Sequence, residues 1–316
     1  MEFQTKISIP KQQHDLISYQ SKLLLTGSCF AEHIGEKFDY YKFQSTTNPL
    51  GILFHPLAVE QLITNAVNEK RYQDNDVFSL NEQWHSYEAH SRMSTASKDE
   101  LLSGLNNAVQ LTHKNILEAS HVIITLGTAW VYRHIETDTI VANCHKVPQK
   151  KFLKELLSVD AIKESLEAII SLVRSVNPKT TFIFTVSPVR HLKDGFVENK
   201  NSKANLISAI HQVVEPRKHI YYFPSYEIMM DELRDYRFYS EDMIHPNALA
   251  VNHIWERFKE VWIDSQTYST MDDVETIQKG LAHRPFNPNS EAHQKFLQDL
   301  EEKKNKLQQK LPFVHF

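Results

Sequence analysis

Four short apolar runs constrain the fold more than anything else in this chain. They are Lys22–Gly27 (KLLLTG), His121–Gly127 (HVIITLG), Thr180–Ser187 (TTFIFTVS) and His219–Phe223 (HIYYF). Each is too short for a buried helix and lacks the polar alternation of a half-exposed strand. Continuous runs of this kind suit strands covered on both faces of a parallel sheet. Tyr41–Ser45 is a further strand candidate. Between the runs, apolar residues return at helical spacing over 31–43, 55–70, 99–119, 159–176, 201–214 and 247–262. Strand and helix alternating from Lys22 to Trp262 predict an α/β fold, doubly wound around a mostly parallel sheet.

Two segments stand outside this rhythm. Residues 77–93 alternate less regularly and read as an insertion, a hairpin. After Trp262 no strand-like run follows, and Ser290–Leu311 is a polar helical pattern. The expected organisation is one main domain over residues 1–262 and a helical C-terminal extension over 263–316 packed on it.

Composition narrows the function classes. Glycine supplies only 7 of 316 residues, against roughly 22 at average usage. No three cluster, so a G-x-G-x-x-G dinucleotide fingerprint is excluded. The net charge of −4 without strong basic clustering argues against a nucleic-acid partner. No apolar run approaches the roughly 20 residues of a membrane span, so no membrane partner is expected. The opening MEFQTKISIP lacks the apolar centre of a signal peptide, and two cysteines, Cys29 and Cys144, cannot build a disulfide framework. The expected location is the cytoplasm.

Two motifs carry candidate chemistry. Gly27-Ser28-Cys29-Phe30-Ala31 follows the first strand, where open α/β sheets bind ligands and a helix N-terminus favours an oxyanion. The ordinary alternative for Ser28 is a helix N-cap. Near the last helix, Asp242 and His245 stand three residues apart, so the carboxylate can hold the imidazole Nδ1–H and leave Nε2 to accept a proton. Pro246 keeps His245 out of helical conformation. The alternative is a surface loop with a chance Asp–His pair among 17 histidines.

A serine after the first strand with D-x-x-H before the last helix resembles the ordering of the SGNH hydrolases. Gly27–Ala31 spells GSCFA, the name of a family similar to them. Asn48-Pro49-Leu50-Gly51, Thr125-Leu126-Gly127-Thr128, Cys144-His145-Lys146 and Val186–His191 also match that family's pattern. The resemblance implies an SGNH/flavodoxin-like three-layer α/β/α fold and acyl ester chemistry, hydrolysis or transfer, on a small-molecule or carbohydrate-type ester. It makes Ser28 the nucleophile, His245 the general base and acid, and Asp242 its orienter, with no cofactor. Gly51 and the backbone N–H of Ser28 become oxyanion donors. The asparagine of the usual third block is missing after Gly127, which leaves Thr128, Asn48 or Asn143 as substitutes.

Several alternatives remain open on the residues. Cys29 at a helix N-terminus could itself act as nucleophile. Cys29, His33, Cys144 and His145 have the atom types of a zinc site, but no chelating motif supports a metal. The same fold could serve as a catalytically idle binding protein. Arg190, His191, Lys193 and Lys203 form a basic cluster after the third strong strand, with Arg190 the leading candidate for an anionic or polyhydroxylated substrate group. Trp84, Trp130 and Tyr132 could supply an aromatic platform for a sugar.

Overall fold

The computed structural model describes residues 5–316. The chain begins with strand β1 (Lys22–Gly27), helix α1 (Cys29–Tyr40), β2 (Gln44–Thr47) and α2 (Pro56–Val67). Next come the hairpin strands β3 (Phe78–Leu80) and β4 (Gln83–His85), then α3 (Lys98–Glu118) and β5 (His121–Leu126). Three short strands follow: β6 (Trp130–His134), β7 (Thr139–Val141) and β8 (Phe152–Leu156). The main domain continues through α4 (Val159–Val176), β9 (Thr181–Val186), α5 (Phe196–Val213), β10 (Ile220–Tyr222) and the single turn α6 (Ser225–Glu227). Helices α7 (Ala248–Trp262), α8 (Tyr268–Ala282) and α9 (Glu291–Lys310) complete it.

The central sheet has five parallel strands in the order β2-β1-β5-β9-β10. This is a flavodoxin-like order, in which the chain leaves β1 in one direction and returns to its other side with β5. Ligands in such sheets bind at that reversal, outside the carboxyl ends of the strands.

Period-two alternation divides the strands between two cores. Leu24, Val122, Ile124, Phe182 and Phe184 face a core covered by α2, α3, α4 and α5. Leu23, Leu25, Ile123, Ile183 and Tyr221 face the other, which is closed by α1 and α7. The C-terminal helices join this second core through Met271, Val274, Leu300 and Leu307. A Cβ on Gly280 would lie 2.7 Å from Leu300 Cδ1, so α8 and α9 meet at a glycine.

Several boundaries differ from the periodicity. Helix α1 starts at Cys29, two residues before the apolar stripe, because the Ser28 cap precedes it. It stops at Tyr40, and Lys42 turns the chain with φ 63°, which moves β2 three residues beyond the expected strand start. Helix α5 begins at Phe196 rather than Asn201, its first turn carrying the exposed Phe196 and Val197. The segment 77–93 does hold an antiparallel hairpin, β3–β4.

A second excursion has no counterpart in the sequence reading. Strands β7, β6 and β8 form a separate antiparallel sheet between β5 and α4. Their residues, such as Trp130-Val131-Tyr132-Arg133-His134, are only partly buried, with Val131 and His134 inside. This sheet walls one side of the site described next.

Candidate active site

The carboxyl ends of β1, β5 and β9 meet the loop before α7 around one cavity of about 780 Å³. Cys29, Thr128, Arg190, His191 and His245 line it from the sheet side. Trp130, Tyr132, Cys144 and Phe152 line it from the β6–β8 excursion.

The end of β1 is built by an enforced turn. Gly27 has φ 133°, and a Cβ there would lie 2.1 Å from the Thr125 carbonyl oxygen, so only glycine fits beside β5. Ser28 follows as the N-cap of α1, its Oγ accepting the Phe30 N–H at 3.3 Å. The side chain is fully buried and does not line the cavity. The Ser28 N–H donates to Thr125 O at 2.9 Å. The N–H expected as an oxyanion donor is therefore engaged inside the fold, while the hydroxyl accepts one helix N–H from a buried position. The next residue does reach the cavity. Cys29 is the first residue of α1, and its N–H has no carbonyl acceptor among the described residues. Burial pushes its thiol pKa up, with Glu32 adding to the rise and Lys203 opposing it.

Asp242 and His245 come together as a pair. Asp242 Oδ2 lies 2.7 Å from His245 Nδ1. Its Oδ1 accepts the backbone N–H groups of Ile244 and His245 at 2.8 and 3.0 Å. These bonds from His245 and Ile244 hold the carboxyl well below the usual range, at about 2. Met243, with φ 57°, makes the turn that folds the carboxylate back on the imidazole. The Ile244 carbonyl accepts the Arg190 N–H at 3.2 Å, which ties this loop to the end of β9. The pair is partly exposed, with side-chain accessibilities of 42% and 45%.

The other expected donors are arranged differently. The Gly51 N–H closes a turn on Asn48 O at 2.8 Å, so it does not point at the cavity as an oxyanion donor. A Cβ on Gly51 would lie 2.6 Å from His90 Cβ, which explains the glycine by packing. Asn48 accepts the Gly27 N–H at 2.9 Å; its Nδ2 is buried without a partner, and it lies outside the cavity lining. Thr128 does line the cavity, while its Oγ1 bonds Ser202 Oγ at 3.1 Å and accepts the Trp130 N–H at 3.0 Å.

The basic cluster divides. Arg190, His191 and Lys193 line the cavity, but Lys203 is only 1% exposed and sits behind it. Its Nζ donates to the Gly127 and Ser187 carbonyls, both at 2.7 Å. Those carbonyls stand where the chain leaves β5 and β9. Burial pushes the Lys203 pKa down to about 7. His191 lies close by, its Nε2 buried without a partner and 3.1 Å from the position a Gly127 Cβ would take. Burial, then the charge of Lys203, hold His191 at about 3, so it is a neutral imidazole.

The zinc arrangement does not assemble. His33 faces a different surface pocket beside Glu36, and among the described residues no group of three or more His, Cys, Asp or Glu could hold a metal ion. Trp130 and Tyr132 line the cavity, whereas Trp84 lies on the β3–β4 hairpin under Lys98. Among the described residues no helix is long and apolar enough to cross a membrane. Of the two adjacent candidates Ser28 and Cys29, Cys29 is the one whose side chain lines the cavity.

Comparison with known proteins bears on the whole chain. One similar solved structure is an acetyl esterase mutant with an acetate ion, 10% identical, with a TM-score of 0.37 and coverage of 80% of this chain and 99% of that one. No curated protein matches the sequence. The C-terminal domain described for GSCFA domain proteins matches residues 274–316. The GSCFA family itself matches residues 22–258, from the first residue of β1 into α7, and the chain belongs to that family.

Proposed function

We propose that the cavity catalyses acyl transfer or hydrolysis with Cys29 as nucleophile, His245 as general base and acid, and Asp242 as its orienter. The observation that carries this reading is that Cys29 and His245 line one cavity while Ser28 is buried behind it. The family membership and the Asp242–His245 bond of 2.7 Å support it.

Because burial keeps Cys29 a thiol at rest, its proton leaves during attack. His245 Nε2 takes that proton while Sγ forms a bond to the acyl carbon. The ester C–O bond then breaks, and His245 returns the proton to the leaving alcohol, which gives a thioester on Cys29. Water, or an acceptor hydroxyl, attacks the thioester carbon and gives its proton to His245. The C–S bond breaks, the acid or new ester leaves, and the proton returns to sulfur. The N–H of Cys29 at the start of α1 is the backbone donor placed for the oxyanion, aided by the positive end of the helix. The flat walls of Trp130 and Tyr132 suit a ring such as a sugar on the leaving side.

Trapping tests the assignment. Acid-quenched enzyme turning over p-nitrophenyl acetate should carry an acetyl group on the Cys29 sulfur, located by fragmentation of the peptide that holds both residues. An acetyl group on Ser28, with none on Cys29, would return the nucleophile to the serine. Asp242→Asn should lower kcat/KM about a hundredfold with the fold intact, because the imidazole loses its charged partner. Unchanged kcat/KM would remove Asp242 from the mechanism.

A further inference from the structure

The cavity is positively charged in a chain of net charge −4. Lys146, Arg190 and Lys193 line it, and Asp194 is the one carboxylate among its lining residues. Lys154 neutralises Asp194 with Nζ 2.5 Å from its Oδ1, and the same ammonium lies over the Trp130 ring at 4.4 Å. Glu32, which acts on the Cys29 thiol, is paired with Arg92, and Asp242 is paired with His245. Among the described residues, Lys146, Arg190 and Lys193 form no ion pair.

Arg190 is held by aromatic faces rather than by an acid. Its guanidinium lies 4.2 Å from the Tyr239 ring and 5.9 Å from that of Tyr236, two residues that line a smaller neighbouring pocket, so Arg190 borders both that pocket and the cavity. Stacking fixes the plane of the group without cancelling its charge, which prepares it for two-point contact with a planar or tetrahedral anion. His191, the next residue along from Arg190, is held neutral chiefly by burial. Apolar walls, Phe54, Trp130 and Phe152, lie among the cations and lower the local dielectric.

We infer that the site takes an acyl ester or thioester whose leaving group ends in an anion, a phosphate or carboxylate bound by Arg190, Lys193 and Lys146. The acyl part rests on the function proposed above. The charge part does not, because it concerns what the cavity attracts, whatever reaction follows. A cavity of about 780 Å³ has room for an acyl group, a ring and a charged end together.

Alkylation of Cys29 reads this charge without requiring turnover. In the full chain carrying Cys144→Ser, iodoacetate and iodoacetamide differ chiefly by one negative charge, and peptide mass spectrometry follows Cys29 alone. At low ionic strength iodoacetate should react about fivefold faster or more, an advantage that salt erodes. Adding Arg190→Gln and Lys193→Gln should bring the ratio of iodoacetate to iodoacetamide rates down to that of a free thiol. Inorganic phosphate slowing the reaction more than acetate assigns a phosphate end, and the reverse a carboxylate. The inference falls if iodoacetamide is as fast, if the advantage survives both substitutions, or if neither reagent reaches Cys29. Failure of the acyl reading is seen separately, as absence of p-nitrophenyl acetate turnover in an enzyme that still prefers iodoacetate.

Discussion

Cys29→Ala is expected to lower p-nitrophenyl acetate turnover about 10³-fold or more, whereas Ser28→Ala should keep it within about tenfold. The two side chains are adjacent, but the start of α1 sends them to different places. Ser28 is the cap, with its hydroxyl 3.3 Å from the Phe30 N–H and no exposed surface. Cys29 opens into the cavity shared with His245. Removing the cap hydroxyl costs about 1 kcal/mol of stability, because one orphan N–H of the helix loses its acceptor. That loss belongs in urea denaturation, not in kcat. Removing the thiol takes away the atom that forms the covalent intermediate and leaves only binding and oxyanion stabilisation. Cys29→Ser should recover little, since an alcohol holds its proton more tightly than a thiol. Steady-state rates with denaturation midpoints for both variants separate the effects. Full activity in Cys29→Ala together with none in Ser28→Ala would establish the serine mechanism instead.

The same pair of residues shows what was legible in the sequence. The strand runs at Lys22–Gly27, His121–Leu126 and Thr181–Val186 were readable because both their faces are buried, so continuous apolar character survives in the letters. The Asp242–His245 spacing was readable because a three-residue separation is local. The β6–β8 sheet was not. Its strands are short and irregularly buried, and β6 and β8 pair across an intervening stretch of nearly twenty residues, so neither a continuous apolar run nor a period of two marks them. The backbone donors were not legible for another reason. Which N–H is free depends on turn geometry, as at Gly51, and on long-range acceptors such as Thr125 O for Ser28, and the residue letters do not encode these. Lys203 was placed with its charged neighbours in the chain, although the fold carries it to the other side of the site wall, where two strand ends need a donor.

Lys203→Met should therefore destabilise the protein and damage the site together, by about 2–5 kcal/mol in unfolding and about a hundredfold in kcat/KM. Methionine matches the length of the lysine stem but leaves the Gly127 and Ser187 carbonyls buried without a donor, each costing about 1–3 kcal/mol. The gain from no longer burying an ammonium offsets part of this. Gly127 also packs against Ser28 Cβ and His191, so loosening its carbonyl moves the floor of the cavity. The pH dependence follows from the depressed pKa. Folded Lys203 releases its proton at about 7, and the unfolded side chain does so near 10.4. Between these values the unfolded chain binds more protons, so the lysine's contribution to stability rises with pH across that window and is lost as pH falls through 7. A neutral amine retains two N–H donors, enough for both carbonyls. Urea titrations from pH 6 to 10 should show the wild-type advantage over Lys203→Met growing with pH. A constant advantage would mean that Lys203 stays protonated throughout, and no advantage at any pH would show that the two carbonyls do not need it.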